Sequence, residues 1–226
     1  KIMKRILIAL AVLLAVQVAD AQVKSPEAAK KAVLAAEEAS QNPKKNTKVA
    51  TWLKLATSYM DAYDAPVGNV LVNSPRVQLQ MMMGNEKPVS VEEVVVDGMP
   101  FKKEIYANKN LYFDGTDVLR IVEVTVPVFE DPLAGALAAY AKAYEVDVKK
   151  SKEKDIVAGI QSIQQKYFND GMNQYSLGDY KKAGELIVKA AAASETAPNS
   201  VVDTTSLYNA GYIYWASKDF ETAKNL

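Results

Sequence analysis

Proton transfer and nucleophilic attack near neutral pH draw most often on histidine and cysteine, and this chain of 226 residues has neither. Their absence removes the imidazole general base, the Ser-His-Asp triad, imidazole and thiolate metal ligands, and disulfides. The acids offer two adjacent pairs, Glu37-Glu38 and Glu92-Glu93. Neighbouring side chains diverge on a helix and take opposite faces on a strand, so neither pair makes a shared acid–base site. Met81-Met82-Met83 cannot converge on one soft ion from a helix and reads as core or interface filler. The sequence carries no phosphate-cradling glycine loop, calcium loop or nucleophile elbow. The side chains left with a distinct chemical use are aromatic. Tyr208, Tyr212 and Trp215 recur at spacings of four and three, and Leu207, Ala210, Gly211 and Tyr214 supply that helix with a separate packing face. Rings placed this way bury a partner's side chains or stack on a ligand. The expectation is a binding protein, with no enzyme activity, no cofactor and no metal.

The elements that must position these rings are mostly helical. Ser25-Pro26-Glu27 reads as N-cap, first-turn proline and first-turn acid of a helix. Ala28, Ala32, Ala35 and Ala39 give that helix a small-residue face, and it ends near Asn42-Pro43. A second helix, 47–63, carries the apolar stripe Trp52, Leu55, Ala56, Tyr59. Between 67 and 129 the pattern changes. A short helix at 76–83 precedes period-2 and β-branched runs, Val91 to Val96 and Met99 to Tyr106, that flank Asp97-Gly98, the strongest short hairpin signal. Two further runs flank Asp114 to Asp117, so the segment predicts an antiparallel unit of three or four strands. Helices resume at Asp131-Pro132, with Glu130-Asp131 as N-terminal cap and Ala136, Tyr140 and Ala143 on one face. Further helices are expected at 153–177, 180–193 and 203–217, with another starting at Asp219. The run Lys149 to Lys154 reads as a solvated linker at a helix start.

The first residues read as an address. Lys1, Lys4 and Arg5 precede the uncharged run Ile6 to Val16, and Ala19-Asp20-Ala21 forms a small-x-small site. This describes a secretory signal, 1–21, cleaved after Ala21, and the apolar run falls short of the roughly 20 residues a span needs. The expected location is periplasmic or secreted, with no stable membrane insertion after cleavage; the lack of cysteine favours the bacterial periplasm. The 27 basic and 27 acidic residues cancel, so no global field recruits nucleic acid. The helical pattern is still running at Leu226, without glycine, cap or proline stop, and a fragment of a longer protein is expected.

The last two helical hairpins superpose at an offset of 40: Gly171 on Gly211, Asp179 on Asp219, Tyr180 on Phe220, Ala183 on Ala223. With Gly178-Asp179-Tyr180-Lys181-Lys182-Ala183, Ala190 and Pro198, this pattern resembles the tetratricopeptide repeat, a helix-turn-helix unit of about 34 residues. Lys218 departs from it, standing where the turn glycine belongs, and the longer offset implies about six extra residues near 195–201. Trp52, Leu55, Ala56 and Tyr59 resemble a first helix whose second helix, with Ala136, Tyr140 and Ala143, follows only after the β-rich segment. The helix at 26–40 resembles the second helix of an earlier, incomplete unit.

The resemblance implies a mainly α fold, a solenoid of helix-turn-helix repeats with a small inserted antiparallel β unit, α+β overall. The expected divisions are helical repeats over 22–150, split by the insertion at about 67–129, and repeats over 151–226, cut short at the C-terminus. Stacked units of this family present their first helices to a concave face. Carried onto this chain, the groove positions are Phe168, Met172 and Tyr175 in one unit, and Tyr208, Tyr212 and Trp215 in the next. The implied function is a scaffold for protein–protein interaction, holding a protein or peptide partner in an aromatic groove. The alternative is a periplasmic binder of a small molecule or glycan using the same rings. A continuous groove favours the first, and a closed pocket with convergent polar groups the second.

Overall fold

The computed structural model describes residues 23–226; the expected signal segment, 1–21, lies outside the described residues. The described residues form a mixed α+β structure of eight helices and one small antiparallel sheet. Helix α1 (Pro26–Gln41) starts where the sequence predicts, with the Ser25 hydroxyl accepting from the Ala28 amide at 3.2 Å. Its buried stripe is Ala29, Val33 and Ala36. The expected alanine face is therefore rotated: Ala28 and Ala35 are exposed, because the bulk of Val33 decides which side meets the neighbouring helix.

Helix α2 (Val49–Asp64) buries Leu55 and Ala56, half-buries Trp52 and Tyr59, and packs on α1 and on α4 (Pro132–Val146). Between α2 and α4 the chain loops out through α3 (Arg76–Met83) and strands β1 (Ser90–Val96), β2 (Met99–Ile105), β3 (Lys109–Phe113) and β4 (Leu119–Val124), in the order β1-β2-β3-β4. At the β1–β2 turn Asp97 and Gly98 both take positive φ, 49° and 74°, as a two-residue type I′ hairpin requires. The sheet has its own core of Leu79, Leu111, Phe113 and Leu119. The chain then continues through α4, α5 (Glu153–Ser176), α6 (Tyr180–Ser194), α7 (Thr204–Ala216) and α8 (Phe220–Lys224), each helix packed on the next.

Three of these helix contacts share one device that no sequence pattern announces. Tyr59 of α2 lies over Gly135 of α4, Tyr140 of α4 over Gly159 of α5, and Tyr214 of α7 over Gly184 of α6. A Cβ built on these glycines would meet ring atoms at 2.7, 2.2 and 2.5 Å. Each glycine is a seat for a ring from another helix, which brings the two backbones close.

Asp131, expected only to cap α4, does more. It accepts from the Ala134 amide at 3.0 Å, from the Tyr167 hydroxyl of α5 at 2.7 Å and from the Lys189 ammonium of α6 at 2.8 Å. These donors, Lys189 foremost, outweigh partial burial and hold its carboxyl below the usual aspartate range. Its contribution is therefore present above the unfolded aspartate pKa and is lost as pH falls through the folded value. Asp131→Ala removes a cap and two cross-helix bonds, and we expect a loss of about 2 kcal/mol at pH 7 in urea unfolding, shrinking toward pH 3.

The turns before α6 and α8 repeat bond for bond. Gly178 donates to the Tyr175 carbonyl and Lys218 to that of Trp215, each at 3.0 Å; Asp179 donates to Gln174 and Asp219 to Tyr214, at 3.0 and 2.9 Å. Lys218 takes the left-handed backbone of its counterpart, φ 68° against 85° for Gly178. A lysine there carries a steric cost that glycine escapes. Lys218→Gly should accordingly stabilise the chain by about 0.5 kcal/mol, or leave it unchanged, where the same change in a helix interior destabilises.

Candidate functional site

Helices α2, α5 and α7 stand side by side, tied by bonds between their side chains and flanking loops. Lys166 of α5 reaches Asp64 of α2 at 2.5 Å, and Gln164 of α5 donates to Asp203, the N-cap of α7, at 2.7 Å. Along this face the six expected groove residues divide into two groups. Phe168, Met172 and Tyr175 on α5 are half-buried, packed against Ala183, Ile187, Ala210, Ile213 and Tyr214 of α6 and α7. Much of their area is already covered by the helices beside them. Tyr208, Tyr212 and Trp215 on α7 are 75%, 40% and 59% exposed.

The exposure of the second group follows from the helix geometry. Ser206, Ala210, Ile213 and Tyr214 are the positions α7 turns toward its neighbours, and Tyr208, Tyr212 and Trp215 lie off that stripe. The Tyr212 and Trp215 rings sit 6.1 Å apart, tilted by 30°. Tyr175 meets Tyr180 edge to face at 5.4 Å. Burial raises the Tyr175 pKa, and the phenols of Tyr212 and Tyr180 and the Asp97 carboxylate add to that effect. The sheet touches α5: Asn173 donates to the Val122 carbonyl of β4 at 3.4 Å. On the other side, the rings continue into an open groove of about 620 Å³ whose walls include Leu207, Gly211, Phe220 and Ala223.

At the opposite end of the same face is a polar cluster that the sequence did not announce. Tyr63 donates to Asp170 at 2.9 Å, and Lys166, ion-paired to Asp64, lies 4.6 Å from the centroid of the Tyr63 ring. Burial pushes the Asp170 carboxyl up to about 6, against the opposing pull of the Tyr63 hydroxyl and of Lys166 and Lys182. Burial first, then the Asp170 charge, raises the Tyr63 phenol. The residues come from α2 and α5, more than a hundred positions apart, and no local pattern links them. At neutral pH the cluster binds α2 to α5 through an ionised carboxylate, a phenol and an ion pair.

The titration of Asp170 has a measurable sign. The folded chain keeps its proton to about pH 6, whereas an unfolded aspartate releases it near 3.9. Between these values the folded state binds more protons, so this group's contribution to stability falls as pH rises from about 4 to 6. In Asp170→Asn the amide oxygen keeps the Tyr63 bond without a charge to bury. The stability of the variant relative to the wild type should improve by about 2 kcal/mol between pH 4 and pH 7 in urea unfolding. A constant difference would place the Asp170 carboxyl in water.

The remaining sequence candidates have structural places. Glu37 accepts from Tyr59 at 2.5 Å and raises that phenol, already lifted by burial, to about 12; Glu38 is exposed. Lys152 pairs with Asp155 one turn into α5, and Lys150 stacks 3.3 Å from the Tyr144 ring. Met81 is 74% exposed, and Met83 packs against the sheet core. Among the described residues no group of three or more acids could hold a metal ion, and no helix is long and apolar enough to cross a membrane. Compared with protein-family models, curated proteins and solved structures, the chain finds no match in any of the three.

Proposed function

We propose that this chain is an exported helical-repeat scaffold of the tetratricopeptide kind, which holds an extended segment of a partner protein against the aromatic face of α7. The observation that carries this reading is the exposure of Tyr208, Tyr212 and Trp215 together on one helix while the packing stripe beside them is buried. Three large rings in water on a single face favour association, since burying apolar area is favourable and rings lose little rotamer entropy when they are fixed. The repeat assignment draws on the duplicated turn bonds before α6 and α8 and on the step-by-step packing of α4 through α8.

A polypeptide fits this face better than a small molecule or glycan does. The rings lie along an open groove bounded by α7 and α8, whereas a small-ligand site encloses most of its ligand and converges polar groups upon it. The groove's floor is a helix, so recognition proceeds by side-chain burial with no covalent step.

Selection of a random peptide library on the whole immobilised chain tests the reading. The expected outcome is a set of peptides rich in aliphatic or aromatic residues that bind the wild type and lose affinity to Tyr208→Ala. Recovery of no sequence family, or of peptides indifferent to Tyr208, counts against it.

A further inference from the structure

The β1–β2 hairpin presents a second surface, distinct from the α7 rings. β1 is the outer strand of the sheet, paired on one side to β2, and among the described residues no strand pairs with its other side. Its side chains stand largely in water: Val91 is 50% exposed and Val95 73%, with Val89 just before the strand at 78%. An outer strand of this kind offers a row of backbone donors and acceptors to an added strand.

The charges say which strand would fit. In the register with β2, Glu92 stands opposite Lys103 and Glu93 opposite Lys102, flanked by Val91 opposite Glu104 and Val94 opposite Phe101. The inner side of β1 is thus already matched to a strand with two adjacent lysines, Phe101 before them and Glu104 after. Glu92 and Glu93 are exposed, one on each face of the sheet, and a strand added on the outer side meets the same two carboxylates. A second copy of β1 is a poor occupant. Ser90 to Val96 contains two glutamates and no cation, so a β1–β1 ribbon gathers four carboxylates with nothing on either strand to balance them.

We propose that the outer edge of β1 takes up an extended partner segment by antiparallel strand addition, and that the segment carries two adjacent basic residues set among β-branched ones. Glu92 and Glu93 give the edge its selectivity: they favour the basic strand through one cross-strand pair on each face and oppose self-pairing through the same charges. Val91 and Val95 supply the apolar contact on one face.

The probe is a fluorescein-labelled peptide of alternating valine and threonine with Lys-Lys at its centre, titrated against the whole chain by anisotropy. Saturable binding is expected, weakened about tenfold or more when Glu-Glu replaces Lys-Lys in the peptide. Binding should vanish when alternate peptide nitrogens along the docking edge are methylated, since the added strand then cannot form its ladder. Glu92→Gln/Glu93→Gln in the protein should remove the preference for Lys-Lys, while Tyr212→Ala/Trp215→Ala should leave it intact. Equal binding of the Lys-Lys and Glu-Glu peptides, or no binding of either, overturns the inference. Loss of binding in the Tyr212→Ala/Trp215→Ala variant also overturns it, by moving the peptide to the α7 face. A concentration-dependent dimer that Glu92→Gln/Glu93→Gln strengthens, with the Lys-Lys peptide failing to compete, assigns the edge to a second copy and overturns it too.

Discussion

Gly159→Ala should cost this chain about 2–3 kcal/mol and lower its melting temperature by roughly 6 °C, although alanine is the better helix former. Gly159 lies within α5, where glycine to alanine on helix propensity alone gains about 1 kcal/mol. The packing term has the opposite sign and is larger. A Cβ at Gly159 would stand 2.2 Å from Cζ of Tyr140 and 2.6 Å from its hydroxyl oxygen. Tyr140 is 7% exposed and belongs to the main core with Ile156, Ile160 and Ile163, so the ring has no free direction in which to yield. The cycle with Tyr140→Leu separates the two terms. In the Tyr140→Leu background the alanine should be near neutral, giving a coupling of about 2 kcal/mol. Additive effects would mean that Tyr140 does not sit on Gly159, and the account of α4 against α5 would fail with it.

The second large effect falls on binding and should leave the fold intact. Tyr212→Ala/Trp215→Ala should weaken a peptide selected on this chain about a hundredfold or more, with a melting temperature within a degree or two of the wild type. The separation follows from exposure. Tyr212 and Trp215 are 40% and 59% exposed, while Ala210, Ile213 and Tyr214 make the α7 contacts to the core. Phe168→Ala is the contrasting variant. That side chain packs against both the main core and the α6–α7 core, so it should lose stability by about 2 kcal/mol and affect binding mainly through the fold.

The sequence made the elements legible because their punctuation is local. Ser25, Asp131, Asp179, Asp203 and Asp219 cap helices where side-chain oxygen meets a free amide, and Asp97-Gly98 turns the hairpin. Helix faces are legible where a large residue sets the side, as in α2, and not in α1, where an alanine pattern competes with Val33. Tyr208, Tyr212 and Trp215 are legible because Ala210 and Tyr214 of the same helix pack inward; Leu207 and Gly211, expected on that packing face, instead line the open groove beside the rings, and Ser206 and Ile213 are buried in their place. The half-burial of Phe168, Met172 and Tyr175 is not legible, since it depends on how closely α6 and α7 approach α5, which is set by Gly184 beneath Tyr214 and Gly171 beneath Ile187. Asp170 escaped for a related reason. Its partner Tyr63 is brought beside it only after the sheet has been looped out between α2 and α4.

The most direct test of the central claim places a reporter on the face itself. The chain has two tryptophans: Trp215 on the exposed face of α7, and Trp52 on α2, half-buried with its indole N–H donating to the Asn46 carbonyl at 2.7 Å. With both replaced by 5-fluorotryptophan, and the two fluorine signals assigned by Trp215→Phe, a selected peptide is titrated into the whole chain. The account predicts that the Trp215 signal moves and saturates in step with binding while the Trp52 signal stays in place. A saturating peptide that leaves Trp215 unmoved, or that moves Trp52 alone, would show that the partner is held elsewhere and that the α7 rings are not the site.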